Sequence, residues 1–192
     1  MIELELKSVV DDWALRRANV ERAGGRLTVV GRLLDRRFDT TDRALSARDH
    51  VLRLRSYETA QGTHAELDWK GPTQADRGYK RREELGVPLG DAATLMLVLE
   101  RLGYEVITTI DREIAQYELH GTTVRFERYP RLDDLVEVEG TPEGIERAIA
   151  TLGLPREGFN ADRLTDFVAR YEARTGRRAA INATQLSRPA ND

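Results

Sequence analysis

The amino terminus reads Ile2-Glu3-Leu4-Glu5-Leu6-Lys7. Apolar residues alternate strictly with charged ones, the period of a β-strand. Glu3, Glu5 and Lys7 then share one face, and Ile2, Leu4 and Leu6 the other. An ordinary half-buried strand with its charges in water has the same pattern. Repetition shifts the balance. Val51–Arg55 brings Arg53 and Arg55 to one face, and His64–Lys70 brings His64, Glu66, Asp68 and Lys70. Tyr79–Leu85 gives Lys80, Arg82 and Glu84; Thr123–Glu127 gives Arg125 and Glu127; Leu135–Glu139 gives Glu137 and Glu139. The opposite faces carry Leu52, Leu54, Leu67, Trp69, Val124, Phe126, Val136 and Val138.

Two architectures fit strands with one apolar and one charged face. A sheet can pack its apolar face on helices and leave the charges in solvent. Alternatively the sheet closes, helices cover the apolar outside, and the charges line a wet lumen. Closure also removes exposed edges. A lumen carrying carboxylates and cations together suits a polyphosphate bound with a divalent metal.

The lysines point the same way. Of 30 basic residues only Lys7, Lys70 and Lys80 are lysines, and all three fall on charged strand faces. Lysine is a compact mobile charge and arginine a rigid fork, and a polyphosphate site can use both.

The other segments read as covering elements. Asp11 or Asp12 can cap a helix through Trp13, Leu15, Ala18 and Val20 that ends at Gly24-Gly25. Arg26–Asp39 reads as a long strand. Gly90-Asp91 starts a helix whose apolar face is Leu95, Val98, Leu99 and Leu102. Thr141-Pro142 opens another, to about Leu152. Asn160 or Asp162 caps a last helix bearing Leu164, Phe167, Val168 and Tyr171, read as packing rather than catalytic. Residues 1–176 are expected to form a single domain, and 177–192 a disordered tail.

Composition bounds the rest. At 192 residues the chain can bury a sizeable core in one domain. It has no cysteine, hence no disulfide framework and no thiolate metal site. A net charge of -3 argues against a nucleic-acid partner. No apolar run spans a bilayer and no signal peptide precedes the first strand, so a cytoplasmic protein with no membrane partner is expected. No P-loop motif is present. His50, His64 and His120 lack metal-ligand spacing.

The ordered motifs resemble the CYTH superfamily of triphosphate tunnel metalloenzymes, which includes class IV adenylyl cyclases, thiamine triphosphatases and inorganic tripolyphosphatases. Glu3-x-Glu5-x-Lys7 resembles its hallmark. Phe38-Asp39-Thr40, Leu52-Arg53-Leu54-Arg55, Lys70-Gly71-Pro72, Arg82-Glu83-Glu84, Leu102-Gly103-Tyr104 and Glu137-Val138-Glu139 follow in family order, over residues 1–140. The resemblance implies an α+β fold: a closed antiparallel eight-stranded β-tunnel with a charged lumen, covered outside by helices. It implies Mg²⁺ or Mn²⁺ held by Glu3, Glu5, Glu137 and Glu139. Arg53, Arg55, Lys70, Lys80, Arg112 and Arg125 would grip phosphate. Lys7, Arg82, Glu84 and Glu127 would serve catalysis. Two departures stand out. The family's Lys-x-Arg strand has Arg112 flanked by Ile110 and Ile114, and Glu127 replaces an aspartate.

The implied activity is cyclisation of ATP to cyclic AMP and pyrophosphate. The alternatives are hydrolysis of tripolyphosphate or thiamine triphosphate, and a module that binds polyphosphate or nucleotide without turnover. The protein is expected to be a monomer or a homodimer.

Overall fold

The structure, a computed structural model, describes residues 2–186. Its strands are β1 (Ile2–Val9), β2 (Arg26–Thr40), β3 (Val51–Thr59), β4 (Gly62–Lys70), β5 (Gln74–Asp76), β6 (Tyr79–Leu89), β7 (Tyr104–Leu119), β8 (Thr122–Arg128) and β9 (Leu135–Glu139). Its helices are α1 (Trp13–Arg22), α2 (Ala92–Arg101), α3 (Pro142–Leu152) and α4 (Leu164–Thr175).

The strands form one antiparallel sheet in the order β1-β9-β8-β7-β2-β3-β4-β6-β5, and β1 also pairs with β6. That last pairing closes eight strands into a barrel and leaves the short β5 on the edge of β6. The first strand changes partner at Glu5. Ile2–Glu5 run against Glu83–Lys80, and Glu5–Val9 against Glu139–Leu135. Register puts the charged faces together inside: Lys7 opposite Glu137, Arg125 opposite Glu137, Asp35 opposite Arg55 and Arg53 opposite Asp68.

Long strands must bend to close a barrel. The β2–β7 register slips between Leu27 and Val29 and again between Arg37 and Phe38. At Gly31 a Cβ would lie 2.1 Å from the backbone oxygen of Glu58, so β2 and β3 approach this closely only without a side chain.

The apolar faces point outward and are covered. Helices α1 and α3 bury Val20, Ile145, Ile149 and Leu152 against Leu6, Val124, Phe126, Val136 and Val138. Each such side chain contributes about 1.5–3 kcal/mol by leaving water. The N-terminal caps are local: Leu15 N–H donates to Asp12 at 3.0 Å, Thr94 N–H to Asp91 at 2.9 Å and Gly144 N–H to Thr141 at 3.1 Å.

Three expectations change. Helix α2 packs through Ala92, Leu95, Met96 and Leu99 on Phe38 and Leu54, leaving Val98 and Leu102 exposed. A short helix on one sheet face buries a narrower stripe than its sequence offers. Helix α4 is capped by neither Asn160 nor Asp162. Arg163 holds the cap position, its amide donating to Asp166 at 2.8 Å, while Asn160 pairs by backbone with Lys7. Residues 177–186, read as part of a tail, are tied down: Ala180 pairs with Arg131, and Asp111 N–H donates to the Ile181 carbonyl at 2.8 Å. Ser187 to Asp192, the rest of that tail, lie outside the described residues.

Candidate active site

A cavity of about 390 Å³ occupies the lumen. Lys7, Arg53, Arg55, Lys70, Lys80, Arg82, Arg112 and Arg125 line it, with Glu5, Glu127 and Glu137. Strand alternation brings the cations inward from six strands. All three lysines are among them.

These charges satisfy one another. Lys7 donates to Glu5 at 3.0 Å and also pairs with Glu137, Lys80 pairs with Glu5, and Lys70 with Glu84. Arg125 pairs with Glu137 and Glu127. Arg112 donates to Glu127 at 2.8 Å and to Asp35 at 3.1 Å, and the Tyr129 hydroxyl donates to Glu127 at 2.6 Å. Arg53 donates to Asp68 at 2.7 Å, and Arg55 to Asp35 at 3.1 Å. Arg82 donates to the carbonyls of Gly71 and Asp49, both at 2.6 Å.

Electrostatics follows from these partners. Burial alone would raise the Glu127 carboxyl, but Arg112 and Arg125 outweigh it and hold it at about 2. Asp35 is held well below the usual carboxylate range: burial opposes this, and Arg112, Arg53 and Arg55 prevail. Lys70 is lowered by burial and by Arg53.

The four expected metal carboxylates separate into two pairs. Glu5 and Glu137 belong to the ion-pair network. Glu3 and Glu139 lie beyond the cavity wall and meet each other. Burial, then a hydrogen bond with Glu139 and repulsion from Glu139 and Glu84, pushes Glu3 up to about 9. Two adjacent carboxylates repel when both are ionised. Among the described residues no three acidic or histidine side chains converge as a metal cage. An all-oxygen pair still fits Mg²⁺ or Mn²⁺, because Mg²⁺ is commonly held by one or two carboxylates with water and substrate phosphate completing its shell.

Several wall residues escaped the sequence reading. Asp35 and Arg37 share one face of β2, but the charged Arg36 between them hides the alternation. Asp49, Thr108 and Tyr129 also line the cavity, as do Arg163, Leu164, Thr165 and Val168 at the start of α4 and Ile181 beyond it. Phe167 of α4 packs on Ile110, Tyr129 and Leu135, so the helix closes one end of the lumen. Toward the other end, Leu33, Tyr57 and Ile114 form a buried apolar plug. Ile110 and Ile114 thus both face inward, the first on the cavity and the second in the plug.

The family model described as the CYTH domain matches residues 1–149. The chain belongs to the CYTH family. Solved structures share this CYTH fold. A Vibrio parahaemolyticus protein described as a candidate adenylate cyclase aligns with a TM-score of 0.75 and 18% identity, covering 88% of this chain and 98% of that one. The PH1819 protein of Pyrococcus horikoshii OT3 aligns at 0.72 and 21%, again covering 88% and 98%. The Hippeastrum protein HpAC1, described as a candidate adenylyl cyclase with dominant triphosphatase activity, aligns at 0.59 and 15%, covering 90% and 95%. At these identities the likeness is one of fold. Among curated proteins none matches the chain. Among the described residues no helix is long and apolar enough to cross a membrane.

Proposed function

We propose that this CYTH protein is a divalent-metal-dependent enzyme that threads a triphosphate into its lumen, with cyclisation of ATP as the leading activity. The observation that carries the reading is the convergence of ten lysine and arginine side chains among the described residues on one cavity beside the Glu3–Glu139 pair. Bound Mg²⁺ or Mn²⁺ would supply charge neutralisation on the phosphates.

In this reading the nucleoside sits toward Glu3 and Glu139, and the β- and γ-phosphates lie among the lumen cations. The ribose 3′-oxygen attacks the α-phosphorus, the bond to the bridging oxygen of the β-phosphate breaks, and pyrophosphate leaves. Lys7 and Arg82 stabilise the charge growing on that leaving group. Glu127, held at about 2 by two arginines, is too weak a base for the hydroxyl proton. We assign that proton to Glu84 and give Glu127 the task of orienting Arg112 and Arg125. Leu164, Val168 and Ile181 keep water from the α4 end, which favours attack at the α-phosphorus over hydrolysis of the terminal one.

Hydrolysis is the second reading, and the observation favouring it is the triphosphatase activity ascribed to the Hippeastrum neighbour. Incubation with ATP, thiamine triphosphate and tripolyphosphate, each with Mg²⁺ or Mn²⁺, separates the cases. Cyclic AMP with pyrophosphate supports the cyclase. Orthophosphate supports the hydrolase. Binding without either product leaves a sensor and sinks both enzymatic readings.

A further inference from the structure

Arg37 differs from every other cation on the cavity wall. Eight of the other nine have a carboxylate or backbone carbonyl partner described above, and the ninth, Arg163, donates to Asp49 at 3.0 Å. Arg37 has neither among the described residues, and its Nε is the one buried side-chain nitrogen or oxygen left without a hydrogen-bond partner. The cost of a buried unpaired donor is about 1–3 kcal/mol, more for a charged group.

Its surroundings deepen the anomaly. Directly across the β2–β3 ladder stands Arg53, a like charge, and like charges placed opposite each other are unfavourable. Both of Arg53's carboxylate partners, Asp35 and Asp68, are shared with Arg55. On the other side Arg37 faces Thr108, and the register slip in β2–β7 follows at the next residue. Such slips commonly re-aim a side chain beside a functional site. Burial, then Arg53, depresses the guanidinium to about 10, with Asp35 opposing only in part. An anion between Arg37 and Arg53 would relieve both the desolvation and the repulsion.

We propose that Arg37, with Arg53 opposite and Thr108 beside it, is the seat for the terminal phosphate of the substrate at the α4 end of the lumen. The inference rests on the triphosphate reading of this cavity and adds the direction of threading and the basis of chain-length selection. A terminal phosphate carries more negative charge than an internal one, so it suits the wall cation that, among the described residues, has no carboxylate or carbonyl bonded to it. A diphosphate held from the Glu3–Glu139 end would not reach it.

Calorimetric titration of the full-length protein with tripolyphosphate and with pyrophosphate, both with Mg²⁺, tests this on wild type, Arg37→Met and Arg37→Lys. The expected result is a loss of roughly ten- to a hundredfold in tripolyphosphate affinity for Arg37→Met, the range for one hydrogen bond to a charged group. Pyrophosphate affinity should stay within about twofold, and Arg37→Lys should recover part of the loss. Ligand-free Arg37→Met should melt no lower than wild type, since a buried unpaired cation has been removed. Unchanged tripolyphosphate binding, or equal loss for both anions with a lower melting temperature, overturns the assignment. If wild type binds neither anion, the triphosphate reading falls and takes this inference with it.

Discussion

Glu127 and Glu3 belong to the same barrel, and burial raises both carboxyls, yet the two end shifted in opposite directions. Glu127 is the more deeply buried, yet its carboxyl is held at about 2. Glu3 is only half-buried, yet is pushed to about 9. Burial pushes both up, and the neighbours decide whether that push is overcome. Glu127 is surrounded by Arg112, Arg125 and the Tyr129 hydroxyl, whereas Glu3 meets Glu139 and Glu84. The first environment is complete and holds the lumen together. In the second, burial and like charge outweigh the one cation nearby, Lys70.

The most damaging way to test the complete half is to remove its central carboxylate. Asp35 is 1% exposed and is shared by Arg53, Arg55 and Arg112. Asp35→Ala should cost about 3–5 kcal/mol in urea unfolding, the scale of leaving buried charges uncompensated. A loss under about 1 kcal/mol would mean that the arginines repair one another and the network is not structural.

The incomplete half should behave the other way. Glu3→Gln removes a carboxylate from a repelling pair. In metal-free protein at pH 8 it should raise the melting temperature. The same variant should weaken Mg²⁺ or Mn²⁺ binding by at least roughly 10–100-fold, the cost of disturbing even a supporting group at a metal site. If the variant binds metal like wild type, Glu3 and Glu139 are not the metal's carboxylates.

Titration sharpens the contrast further. The folded pKa of Glu3, about 9, lies above its ordinary 4.5, so the folded state keeps a proton that the unfolded chain releases. Metal-free stability should therefore fall as pH rises from about 4.5 to 9, and Mg²⁺ should flatten that slope. Glu127 has the opposite sign. Its folded value of about 2 lies below 4.5, so its contribution is present above about 4.5 and lost as pH falls toward 2. Urea midpoints across pH measure both. A rising slope between 4.5 and 9 in the metal-free protein would contradict the Glu3–Glu139 pairing.

A surface pair supplies the smallest effect. Arg43 and Glu105 are 2.6 Å apart with side chains about half exposed. Glu105→Gln should change stability by less than about 1 kcal/mol and vanish in added salt. A larger effect would mean that geometry alone, without the dry neighbours, makes an ion pair strong.

Much of this was legible in the chain because a strand's two faces are written into alternate residues. Glu3, Glu5, Lys7, Arg53, Arg55, Lys70 and Lys80 could be assigned to one side of a sheet before any closure was known. Arg37 shares a face of β2 with Asp35, but Arg36 between them is charged as well, so the apolar-charged alternation that marks the other strands is broken there. Arg163, Leu164 and Val168 were not legible in the same way. Helical spacing says that an apolar stripe exists, not which surface it meets, and only the tertiary fold brings α4 to the lumen. The same ignorance of the partner surface rotated the buried face of α2 away from Val98 and Leu102. Residues 177–186 follow a charged stretch, show no helix or strand period, and are held through backbone hydrogen bonds to Arg131 and Asp111, which composition does not reveal.

The change of partner at Glu5 also bears on how the protein comes into being. Residues 2–5 complete the ring by pairing with 80–83, and residues 5–9 by pairing with 135–139. The first strand to leave the ribosome therefore needs partners made much later, and contacts so distant in sequence form slowly. Glu3 meets Glu139 only when that seam is shut. A newly made chain thus brings Glu3 to Glu139 only at the moment its architecture is finished, so the repulsion between them is met last in folding.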